Sequence, residues 1–106
     1  MRTYTYINCQ RASGIKIGSR VKVKRMNSKH DMEGWIYNWV VDMNSCIGKE
    51  YVVSNVDGDK GIQLEGSCYK RSRDNSENYY KGDYDFYFPY YVLEIVPERT
   101  YRRIVL

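Results

Sequence analysis

The sequence predicts a mainly β chain: a small antiparallel barrel of about five strands, with one short helix in a long loop. Three observations predict it. Ser19-Arg-Val-Lys-Val-Lys24 alternates apolar and basic residues, the period of a half-buried strand. Asp57-Gly58-Asp59 is a hairpin turn signal between two β-rich runs, because Gly58 tolerates positive φ. At Phe88-Pro-Tyr-Tyr-Val92 one apolar run meets a proline and a second apolar run leaves. Pro89 sets its own φ and holds Phe88 extended, and the gap is too short for an α-helix but long enough for one 3₁₀ turn.

The elements follow in chain order. Thr3-Tyr-Thr-Tyr-Ile7 is rich in β-formers and predicts an edge strand or an arm. Residues 9–19 are polar with Gly14 and Gly18, and predict a loop. Residues 19–24 form the first clear strand, with Val21 and Val23 on one face and Arg20, Lys22 and Lys24 on the other. Trp35, Trp39 and Met43 recur at i, i+4 and i+8, which predicts a helix of about two turns; the β-formers of the same stretch leave an extended hairpin-like loop as the alternative. Residues 47–56 and 61–65 predict the two strands of the Asp57-Gly58-Asp59 hairpin. Residues 66–83 are long and polar, and predict a mobile loop or an extended hairpin tip. Residues 84–88 and 92–96 are the strands of the proline corner. Tyr101-Arg-Arg-Ile-Val-Leu106 is apolar enough to pair with residues 3–7 or to offer an edge to a partner. Alternation places Val21, Val23, Ile47, Val53, Ile62, Leu64, Phe88, Val92 and Leu93 in the core.

Composition bounds the function. The 106 residues make a single domain, with the barrel over about residues 17 to 96 and an extension at each end. Twelve of the sixteen aromatic residues are tyrosines, which suit half-buried strands and binding surfaces because the ring packs while the hydroxyl stays wet. No apolar run approaches the ~20 residues of a membrane span, and Met-Arg-Thr-Tyr-Thr-Tyr-Ile-Asn lacks a signal peptide's apolar segment, so a cytoplasmic location is expected. Cys9, Cys46 and Cys68 are widely spaced and His30 stands alone, so a structural zinc site is not expected and the thiols read as reduced. Gly14-Ile-Lys-Ile-Gly18 lacks the Gly-Lys-Ser/Thr ending of a phosphate loop. Turn chemistry accounts for Asp57 and Asp59, and His30 lies in no familiar nucleophile motif. Neither an enzyme nor a cofactor is therefore expected.

Charge is asymmetric behind a net +4: residues 1–30 carry eight basic side chains and no acid, and residues 31–66 carry seven acids against Lys49 and Lys60. Arg20, Lys22 and Lys24 form a basic row on one strand face, and Lys70, Arg71 and Arg73 form a second cluster in the polar loop. Both suit phosphate or another anion, and both also suit a solvated surface. Trp35, Trp39, Tyr90 and Tyr91 are the candidate partner-binding anchors. Tyr79, Tyr80, Tyr84 and Tyr87 extend the aromatic set.

The order of strand, tryptophan-bearing loop, strand, tight turn, strand, loop, strand, 3₁₀ corner and strand resembles an SH3-like barrel. Phe88-Pro89-Tyr90-Tyr91-Val92 looks like the corner before the last SH3 strand, and residues 18–23 and 47–53 look like the opening strands of SH3-like and KOW-like modules. The whole is similar to small proteins encoded by tailed phages. The aromatic stretch and adjacent tryptophan pair of signalling SH3 domains are absent, so polyproline recognition is not carried over to any residue. The resemblance implies a binding protein that blocks or redirects a host protein, including a defence component. The alternative is a nucleic-acid or nucleotide binder using the basic and tyrosine-rich surface. A third reading is self-association through the terminal strands.

Overall fold

The computed structural model describes residues 2–67 and 85–97. Five strands, β1 (Arg20–Val23), β2 (Glu50–Asp57), β3 (Gly61–Leu64), β4 (Tyr87–Phe88) and β5 (Leu93–Ile95), form one sheet in the order β4-β3-β2-β1-β5. Every neighbouring pair is antiparallel. One α-helix, α1 (Arg2–Ala12), precedes them.

β2 is the long member, eight residues that serve two partners. Its first half pairs with β1, in the register Arg20↔Val52, Val21↔Tyr51 and Lys22↔Glu50. Its second half pairs with β3, from Val53↔Leu64 to Asp57↔Gly61. The register slips between Val53 and Asn55, and the extra residue, Ser54, donates its hydroxyl to Gln63 O at 3.3 Å. Such an irregularity bends a strand and lets its two halves face different neighbours. The edge strands β4 and β5 are joined by a 3₁₀ turn, Tyr90–Val92, capped by Pro89 in an extended conformation. The turn expected from the proline is therefore present.

The core lies where alternation places it. Val21, Val23, Val53, Ile62, Leu64, Phe88, Val92 and Leu93 are buried, joined by Ile15, Met43 and Cys46. Ile47 is the exception, at 38% exposed. The strand starts only at Glu50, and Gly48 intervenes with φ 88°. Ile47 N–H closes the preceding 3₁₀ turn on Asn44 O, so this residue ends a turn and joins no strand.

Two local expectations are overturned. Residues 3–7 are helical, not an edge strand or arm, so they cannot supply the terminal strand proposed for self-association. Tyr6 and Gln10, one turn apart, are the two buried side chains among the described side chains of α1, and both bond to other elements. Those anchors outweigh the modest β preference of threonine and tyrosine. The helix stops where Ser13 Oγ donates to Gln10 O at 2.6 Å and Gly14 turns to φ 81°.

The tryptophan stretch is not a helix. It runs irregularly to a 3₁₀ turn, Val41–Cys46, and Ile36 N–H bonds across to Asp59 O at 3.1 Å. Trp35, Trp39 and Met43 do turn toward the core, but without a helical backbone. Residues 68–84 and 98–106 lie outside the described residues. They include most of the polar loop, Lys70, Arg71, Arg73, Tyr79, Tyr80, Tyr84 and the expected terminal strand.

The hairpin turn rests on Gly61. It has φ 107°, and an added Cβ would collide with the Phe88 carbonyl. Gly48 has φ 88° with open space around it. Gly48→Ala should cost about 1 kcal/mol of stability, from backbone strain alone. Gly61→Ala should cost at least about 1 kcal/mol more, since a backbone carbonyl in a β ladder must move. Urea unfolding of the two variants checks the difference, and equal losses would mean that the approach of Phe88 to Gly61 is not a constraint.

Candidate functional site

The proline corner is fastened from both sides. Tyr6 is fully buried, and its hydroxyl accepts the Tyr90 N–H at 3.1 Å. Its ring meets Tyr90 at 5.3 Å and Tyr91 at 6.3 Å, tilted or edge-on, the favoured aromatic arrangements. On the other side Arg25 holds Asp31 through two hydrogen bonds of 3.0 and 2.9 Å, and its guanidinium lies 5.8 Å from the Tyr91 ring centre. Tyr91 Oη donates to Asn27 Oδ1 at 3.0 Å, and Tyr90 Oη contacts Met32 Sδ at 3.4 Å.

Burial raises the Tyr6 hydroxyl well above its ordinary range and pushes Tyr91 up to about 12. Tyr90 is raised by burial and by its hydrogen bond with Cys9. All three therefore stay protonated at neutral pH. Hydrogen bonding to Arg25 lowers the Asp31 carboxyl, with help from the Ser28 N–H. Tyr90 and Tyr91, expected as partner anchors, are half-buried with their polar groups engaged inside the fold.

The tryptophans are also engaged. Trp35 Nε1 donates to Lys60 O at 2.8 Å, and Trp39 Nε1 donates to Asn44 Oδ1 at 2.8 Å. The Trp39 ring meets Phe88 edge-on at 5.7 Å. Both rings are half-buried against the core. Four apolar side chains remain outside, with the exposed Asn38 among them: Ile36 is 52% exposed, Tyr37 41%, Val40 44% and Val41 74%. Tyr37 also leans edge-on against Tyr87 at 5.8 Å, whose hydroxyl accepts from Asn55 Nδ2 at 3.0 Å. Sequence reasoning assigned contact to the larger indoles and passed over these four neighbours. The signal was the unbroken apolar run Trp39-Val-Val41 and the β-branched residues beside both indoles.

Arg20, Lys22 and Lys24 are exposed on the outer face of β1. Lys22 lies opposite Glu50 on β2 and Glu94 on β5, so acids flank the middle of the basic row on both sides. Cys9 is half-buried and Cys46 buried. Among the described residues no three histidine, cysteine or acidic side chains gather to hold a metal, and no helix is long and apolar enough to cross a membrane. Comparison of the chain with protein-family models, curated proteins and solved structures gives no match.

Tyr6→Phe should cost about 1–3 kcal/mol, because the Tyr90 N–H loses its acceptor in a partly buried site. Tyr4→Phe should stay within about 0.5 kcal/mol, since Tyr4 is 67% exposed. Thermal or urea unfolding checks the pair.

Acid should weaken the Arg25–Asp31 clasp. The folded carboxyl sits below its unfolded value of about 3.9, so its contribution is present above that pH and is lost as pH falls through the lowered folded value. The effect is small, because the Arg25 side chain is 43% exposed and water screens the pair. The stability gap between wild type and Asp31→Asn should therefore narrow below about pH 4; a gap that is constant with pH would rule out a folded-state ion pair.

Proposed function

We propose that this chain is a non-enzymatic binding protein on a small SH3-like barrel, phage-encoded, that docks on a host protein and blocks or redirects it. Three features support the barrel: the strand order, the shared and bent β2, and the 3₁₀ corner between β4 and β5. The phage setting rests on the sequence resemblance alone.

The observation that carries the binding reading is the loop at residues 35–41. Its two tryptophans are tied down by hydrogen bonds and core packing, while Ile36, Tyr37, Val40 and Val41 stand in solvent. Clustered exposed apolar side chains mark interaction surfaces on soluble proteins. A loop already held in place loses little conformational entropy on docking. The contact set therefore shifts from Trp35, Trp39, Tyr90 and Tyr91 to the outward residues they support. Occlusion of the partner's own binding surface is the mechanism, with peripheral basic residues steering the encounter.

The alternative, nucleic acid or a nucleotide on the basic strand, is weaker, because Glu50 and Glu94 flank Lys22. The test is a pull-down from nuclease-treated bacterial lysate with wild type and the double variant Ile36→Lys, Val41→Lys. Both sites are exposed, so folding should change by no more than about 0.5 kcal/mol. The wild type should retain a protein that the double variant retains at least tenfold more weakly, as for interface anchors worth about 1.4 kcal/mol or more. Retention that ignores the substitutions, or that depends on nucleic acid and falls steeply with salt, overturns the reading.

A further inference from the structure

The helix α1 is joined to the rest of the fold differently from the strands. β2 is held by backbone ladders to β1 and to β3. α1 is tied by side chains. Tyr6 Oη accepts the Tyr90 N–H at 3.1 Å, Gln10 Nε2 donates to Gly58 O at 2.9 Å, and Cys9 hydrogen-bonds with Tyr90. Tyr6 and Gln10 are the buried pair among its described side chains, and neither belongs to the contiguous apolar cluster of the core. Ile15 does belong to it, one residue past Gly14. The boundary between α1 and the core thus falls at Gly14, where a φ of 81° turns the chain out of the helix.

α1 has little hold of its own. Its 11 residues fall short of the ~12–15 at which an isolated helix begins to persist in water. Thr3-Tyr-Thr-Tyr-Ile7 are β-formers, and no acid stands in the first turn to meet the helix dipole. A short helix is stabilised by an apolar face laid on the core, and here a glutamine occupies half of the buried pair. Docking also leaves a defect. Gln10 is 3% accessible, and its Oε1 has no hydrogen-bond partner among the described residues. Water supplies that oxygen with a donor once α1 leaves the sheet, so the unmet acceptor destabilises the docked state alone.

What α1 covers is the proline corner. The Tyr6 ring lies 5.3 Å from Tyr90 and 6.3 Å from Tyr91, so its departure bares both rings and the Tyr90 N–H. The corner keeps its other fastenings, because Tyr91 bonds Asn27 and Tyr90 meets Met32, and neither partner belongs to α1. We infer that α1 is a releasable strap: it undocks as a unit about Gly14 while the five-stranded sheet stays folded, and its release uncovers the Tyr90–Tyr91 corner. Local opening of this kind draws on the segments with the fewest buried apolar contacts. The strap shares no residue with Ile36, Tyr37, Val40 and Val41, so this inference does not depend on the function proposed above.

The test is native-state hydrogen exchange, read by NMR on the ¹⁵N-labelled full chain at several urea concentrations below the unfolding transition. The amides of residues 6–12 should exchange as one group, at least about 100-fold faster than the slowest β2 amides after correction for intrinsic rates. Their opening should respond weakly to urea, because undocking exposes little surface, whereas β2 exchange should respond steeply. Tyr6→Ala removes the main tie. In that variant α1 should lose its protection, Gly58, Tyr90 and Tyr91 should change shift, and β1, β2 and β3 should keep their dispersed native resonances. The inference is overturned by any of three results: one exchange rate and one urea dependence for α1 and β2, no protection of α1 in the wild type, or loss of the dispersed sheet resonances in Tyr6→Ala.

Discussion

A single strand changes partners halfway along its length, and the rest of the structure follows from that change. The first half of β2 lies beside β1 and, through it, β5; the second half lies beside β3 and, through it, β4. With Ser54 as the extra residue, Val53 can face the core with Val21 and Val23 on one side and Ile62 and Leu64 on the other. A straight β2 would keep both halves in one plane and leave the apolar faces of five short strands without a shared interior. The extra residue does not leave its polar side chain idle, since Ser54 bonds back to Gln63.

The proline corner needs support of its own. β4 is two residues long and β5 three, too little ladder to hold their junction by backbone bonds alone. Side chains from distant positions supply the rest. Tyr6 comes from α1, while Arg25, Asn27 and Met32 come from the loop after β1, and all converge on Tyr90 and Tyr91. The tyrosines that look most available for a partner are thus spent on closing the fold. A comparable division operates on the tryptophan loop, where the indoles turn inward and smaller apolar neighbours remain outside.

The site was less legible than the core, for a reason visible in particular residues. Val21 and Lys22 differ in burial because strand geometry alternates them, and alternation is readable from sequence. Whether Lys22 presents free charge depends on Glu50 and Glu94, which are 28 and 72 positions away and become neighbours only through the sheet register. Whether Trp39 meets solvent depends on Phe88, which seats its ring. The Gln10 orphan acceptor is less visible still, because a glutamine carries no sign in the sequence of how many of its bonds will be met.

The sequence by itself determined the strands, their inward faces, the glycine-dependent hairpin and the proline-capped turn. Each of these is a local matter of side-chain alternation or of backbone angles that glycine and proline permit. Only the tertiary structure decided that residues 2–12 coil into a helix and that residues 35–40 do not. In both stretches the intrinsic preferences for helix and strand differ by less than the contacts that each conformation gains. The long-range partners of Tyr6, Gln10, Trp35 and Trp39 therefore set the outcome.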